Sequence, residues 1–209
     1  PAFEGRSAFA MNYAKSLAEN GFAALAVDMY GDAEVANTFD DCLRLIGPFL
    51  KDRELVRKRA LLAFQELSKH PKINKNKIAA IGFCFGGMCV LEVARSGEDL
   101  KAGVSMHGVL AKSNLSTKPF NTKLLILHGY QDPQVPPTAL TQFAEEMAEI
   151  NVYDWTFTFF GDAKHSYTDP KTGTFDPQRE REFGREYNAR VAAQAFRYTK
   201  DFLAEVLHG

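Results

Sequence analysis

The chain has 209 residues, of which 45% are hydrophobic and 24% charged, the proportions of a globular protein with one sizeable core. Its formal net charge of −1 supplies no global basic field for nucleic acid or anionic lipid. Its longest apolar runs are of strand length, well short of the roughly 20 residues a membrane helix needs. The cysteines Cys42, Cys84 and Cys89 form no CxxC pair. That argues against a disulfide framework or a cysteine-rich zinc site and, with no leader-like opening stretch, implies a reducing, cytoplasmic setting.

Helix-like and strand-like segments alternate along the chain. Pro1 to Ser7 reads as the end of a strand running into a loop, so strands expected ahead of that point would lie outside the numbered chain. A helical pattern over about Ala8 to Asn20 meets the Asn20-Gly21 turn. Phe22 to Asp28 (FAALAVD) is an unbroken apolar run, the pattern of a strand buried on both faces. Cys42 falls in a helical stretch with Leu43, Leu45 and Ile46, and Asp52 to Ser68 is a further helix. Strands are then expected over Ile78 to Phe83, Ala102 to His107, Leu124 to His128 and Val152 to Phe160. Helices are expected over Phe85 to Ser96, Thr138 to Ile150 and Tyr187 to Leu207. Such alternation predicts an α/β fold over 1–209 as one domain: a mostly parallel sheet with helices on both faces.

Gly82-Phe83-Cys84-Phe85-Gly86-Gly87 lies between an expected strand and helix, the setting of a nucleophile elbow with cysteine in the usual serine place. Glycines fit because strand and helix backbones approach closely at the turn. A thiol at the positive end of a helix has its thiolate favoured, and the Phe85 N–H would point at a developing oxyanion. The alternative is a buried structural cysteine, which the full pattern disfavours. G-x-G-x-x-G is absent, which removes a dinucleotide site. Cys42 and Cys89 are expected to be inert.

A cysteine nucleophile needs a base, and the base an orienting group. Asp132 follows the strand Leu124 to His128, at the carboxyl edge where open α/β sheets carry their sites; its bland role is a turn or a helix cap. His165 follows the strand Val152 to Phe160. Nucleophile, acid and base in the order Cys84, Asp132, His165 is the order of α/β-hydrolases. His107 and His128 also end strands and are read as core or supporting residues. No histidine–carboxylate cluster suggests a metal, and no cofactor is expected.

The elbow, the stretch Gly21 to Tyr30, and the Asp132 and His165 loops resemble the dienelactone hydrolase family of α/β-hydrolases. Tyr187-Asn188 opens a final segment similar to that of one family branch. The resemblance implies that Glu4 in Phe3-Glu4-Gly5 pairs with the resting cysteine and that the Gly5 N–H is a second oxyanion donor. It implies a small ester or lactone substrate, cleaved through a thioester; the sequence leaves open a monomer or a small homo-oligomer. The chain departs from the family where two arginines would hold a substrate carboxylate. Asp169 stands four residues after His165, Asp41 aligns at the other position, and Lys164 replaces a glycine. Neutral or cationic esters are therefore expected to be favoured over anionic ones, and Lys164 or Arg44 could compensate only by reaching the pocket. A cysteine amidase or peptidase, or a thiol-sensing protein without catalysis, are the other readings.

Overall fold

The structure is a computed structural model that describes residues 1–208. Seven helices and four strands are described: α1 (Ala8–Glu19), α2 (Phe39–Lys51), α3 (Arg53–Lys69), β1 (Ala79–Phe83), α4 (Phe85–Arg95), β2 (Ala102–Met106), β3 (Lys123–Gly129), α5 (Thr138–Glu149), β4 (Trp155–Phe160), α6 (Pro177–Glu182) and α7 (Ala189–His208). The strands pair in the order β1-β2-β3-β4, and every ladder is parallel.

Local chemistry accounts for the boundaries. Thr38 and Asp41 exchange side-chain and backbone bonds in a capping box at the start of α2, and the Asp52 carboxylate accepts from the Leu55 N–H to open α3. Asp41, expected near a pocket, is thereby a helix cap. Asp176 caps α6, a short helix with Pro177 in its first turn.

Alternation along β3 assigns the two sheet faces. Leu124 and Ile126 pack with Leu91 and Ala94 of α4 and with Phe143 and Met147 of α5. Leu125 and Leu127 join Val104, Met106 and, from α7, Val191 and Ala195. Both faces of β2 and β3 are therefore covered, as their continuous apolar runs require. Burial of such side chains contributes about 1.5–3 kcal/mol each.

Phe22–28 departs from expectation. It carries no strand pairing, and Ala23, Ala24 and Leu25 are exposed. An apolar run encodes burial potential but not a ladder partner. The segment stands across an apolar cavity of about 350 Å³ from the outer edge of β1, lined among others by Tyr13, Val27, Ile81, Phe83 and Leu207. Cys84, Asp132 and His165 do not line this cavity. Pro1 to Ser7 forms turns with one isolated antiparallel bridge, Gly5 to Val35, in place of a strand end. Among the described residues no helix is long and apolar enough to cross a membrane.

Candidate active site

Parallel strands bring their carboxyl ends to one edge, and the loops there carry the chemistry-bearing side chains. Cys84 directly follows β1, His107 follows β2, Asp132 lies beyond β3 and His165 beyond β4. Cys84 has φ 53 and ψ −114, a strained conformation for a side chain other than glycine. The turn is forced by crowding: a Cβ at Gly82 would collide with the Gly86 backbone. The N–H groups of Phe85 and Gly86, at the start of α4, donate to no backbone acceptor, as expected of the orphan donors of a first turn.

Asp132 Oδ2 lies 2.7 Å from His165 Nδ1, and its Oδ1 accepts from the Gln134 N–H at 2.8 Å. Asp132 and His165 are 2% and 0% exposed. With Nδ1 on the carboxylate, the other ring nitrogen, Nε2, is buried without a fixed hydrogen-bond partner, in a site close enough to Cys84 for the two charges to act on one another. Burial opposes ionising that thiol, yet the charge and hydrogen bond of His165, helped by Arg185, hold it below its ordinary value. For His165 burial disfavours the cation, but Cys84 and the bond to Asp132 raise the imidazole to about 9. Thiolate and imidazolium thus favour one another. Burial pushes Cys89 and Cys42 up, each to about 12.

Glu4 is buried beside this site, but its partner differs from expectation. Its Oε1 accepts from Arg185 Nη2 at 3.2 Å, and its Oε2 has no partner. Desolvation raises its carboxyl above the usual range, against the pull of Arg185. Tyr30 holds the same loop by donating its hydroxyl to the Phe3 carbonyl at 2.9 Å. The Gly5 N–H donates to the Ala2 carbonyl at 3.2 Å, so it is engaged in a turn and not free for an oxyanion.

Arg185 is the residue that motif reasoning missed. It is 4% exposed, donates from Nε to Glu180 Oε2 at 3.2 Å, and lies over the Phe3 ring at 4.1 Å. Its backbone is joined to the histidine loop: His165 N–H donates to the Gly184 carbonyl and Glu186 N–H to the His165 carbonyl, each at 3.0 Å. It lies twenty residues from His165, in a stretch whose only cue was the neighbouring Tyr187-Asn188. Lys164 and Arg44 point elsewhere, pairing at the surface with Glu186 at 2.6 Å and Glu34 at 2.7 Å. Asp169 is nearly buried and accepts from the Lys171 N–H at 2.8 Å. His128 sits behind Asp132, its Nε2 3.1 Å from the Val135 carbonyl. Among the described residues no cluster of ligating side chains could hold a metal ion.

Known proteins match this architecture. A Caenorhabditis elegans protein, K02A2.1, is 32% identical over 155 residues, covering 72% of this chain and 93% of its own length. A Bradyrhizobium protein named Probable 2-oxo-3-(5-oxofuran-2-ylidene)propanoate lactonase is 25% identical over 162 residues. That match takes in 71% of this chain and 64% of the relative, so the chain spans under two thirds of it. The crystal structure of a dienelactone hydrolase-like promiscuous phosphotriesterase, P91, from metagenomic libraries superposes with a TM-score of 0.86 at 33% identity, over 99% of this chain and 84% of that one. The family model for dienelactone hydrolases runs from residue 2 to residue 207, and on that near-complete match the chain belongs to the dienelactone hydrolase family, whose α/β-hydrolase fold it shares.

Proposed function

We propose that the protein hydrolyses small lactones or activated esters through a Cys84 thioester. The observation that supports this reading is the 2.7 Å contact of Asp132 with His165 Nδ1, at the sheet edge where Cys84 follows β1. The Cys84 thiolate attacks the carbonyl, and the N–H groups at the start of α4 stabilise the oxyanion. The His165 imidazolium donates its Nε2 proton to the leaving oxygen, leaving a thioester. Neutral His165 then takes a proton from water, hydroxide attacks the thioester, and the acid departs as Cys84 is restored. Asp132 holds the tautomer and stabilises the cation. A thiolate expels a basic alkoxide poorly, so enol and other good leaving groups are preferred.

The likeness to a promiscuous phosphotriesterase supports a side reaction of the same thiolate on activated phosphotriesters. A panel of small esters, lactones and one aryl phosphotriester, read by turnover and intact mass, tests both. An acyl adduct confined to Cys84 and lost in Cys84→Ala is expected; undiminished turnover by folded Cys84→Ala would discard the mechanism.

A further inference from the structure

His107 is 1% exposed and follows β2 in a left-handed conformation, φ 40. Its Nδ1 accepts a hydrogen bond from the Cys84 backbone N–H at 3.1 Å, which only an unprotonated nitrogen can do. Nε2 therefore carries the ring proton and donates it to Thr168 Oγ1 at 2.8 Å. Thr168 lies three residues past His165 on the same loop. One ring thus joins the nucleophile turn to the histidine loop, and both of its nitrogens are occupied. Its edge packs against the rings of His165 and Tyr167, with centroids 5.2 and 5.0 Å away. Burial, reinforced by the neighbouring charges of His165, His128 and Arg185, keeps the ring neutral.

We propose that His107 is a positioning residue: a neutral imidazole strut, from the Cys84 N–H to the Thr168 hydroxyl, that sets the separation of thiol and catalytic imidazole. This rests on the reading of Cys84 and His165 as nucleophile and base. The strut compensates two strains together. Cys84 N–H donates to His107 as well as to the Met106 carbonyl at 3.0 Å, which fixes the left-handed Cys84. The Thr168 bond anchors a loop whose Ser166 is also left-handed, φ 58. A misplacement of about 1 Å between reacting groups can cost 10²-fold in rate.

The test uses the far end of the strut, where a change leaves the core intact. Thr168→Val should lower kcat about 10–100-fold with little change in KM. It should also shift the pH profile of Cys84 alkylation by iodoacetamide to higher pH, because a looser imidazolium stabilises the thiolate less. Thr168→Ser, which keeps the hydroxyl, should restore both. His107→Asn, which keeps an acceptor for Cys84 N–H but cannot reach Thr168, should behave like Thr168→Val. Wild-type kcat and alkylation profile in folded Thr168→Val would overturn the proposal, as would failure of Thr168→Ser to rescue. Alkylation separates this from the hydrolase reading: a parent protein that cleaves no ester can still show, or fail to show, the shift.

Discussion

Replacing Arg185 by methionine should unfold the protein at a much lower temperature, and removing Glu4 as well should bring most of the loss back. Arg185 is 4% exposed and ion-paired on both sides, to Glu4 and to Glu180. Deleting one member of a buried pair costs about 3–5 kcal/mol, because the partner charge is left uncompensated. For a chain of this length each kcal/mol shifts the midpoint by about 2–4 °C, so Arg185→Met should melt about 6–20 °C lower. The two carboxylates suffer unequally. Glu180 still accepts from the N–H groups of Gly173, Phe175 and Asp176 at 2.9, 3.1 and 3.3 Å. Glu4 has only Arg185, and its Oε2 is unpartnered. Hence Arg185→Met with Glu4→Gln should melt well above Arg185→Met alone. Thermal unfolding followed by circular dichroism at pH 7 decides the matter. A double variant no more stable than the single one would refute the claim that orphaning Glu4 is what makes the arginine necessary.

The other expectations concern the reactive groups. Glu4→Gln removes a negative charge that opposes Cys84 ionisation, so the alkylation profile of Cys84 should move to lower pH; an unmoved profile would make Glu4 a structural loop residue. Ester kcat/KM should rise as pH passes the depressed Cys84 value and fall again as His165 loses its proton near about 9, and a rate still climbing at pH 10 would exclude imidazolium as the acid. Asp132→Asn should cut kcat by up to about 10⁴ through loss of the tautomer, measurable on any ester the parent cleaves. Matched neutral and carboxylate-bearing esters should favour the neutral one, since the buried cation at the site, Arg185, is already flanked by Glu4 and Glu180; a clear anionic preference at low salt would contradict this.

How far the sequence could be read depends on what each pattern encodes. The runs at β2 and β3 are mostly apolar, with Ser105 and the terminal Lys123 and His128 as exceptions, because helices cover both faces, and they are legible for that reason. Phe22–28 has the same pattern, but pairing is a relation between segments, and a one-dimensional pattern holds no record of it. The positions of Cys84, Asp132 and His165 could be foreseen because a parallel sheet forces every strand's carboxyl end to one edge. Glu4 is reachable only through family likeness, which implies a cysteine partner, whereas its carboxylate bonds Arg185. Charge pairing across 181 residues between Glu4 and Arg185 leaves no local spacing to detect. The sequence shows His107 only as a strand-end histidine, while its contacts are a backbone N–H and a threonine hydroxyl, neither of which marks a motif.

The left-handed backbones of Cys84, His107 and Ser166 bear on how the molecule opens. Each holds a conformation that costs on the order of 1–3 kcal/mol and persists only while its surroundings impose it. All three lie at the same edge, just beyond the strands, so any fluctuation that frees these loops recovers the strain of several residues together. This rim should therefore loosen at a lower free energy than the ladders beneath it. Amide exchange would show a sharp gradient along single strands, slow in the middle of β2 and β3 and fast a few residues later.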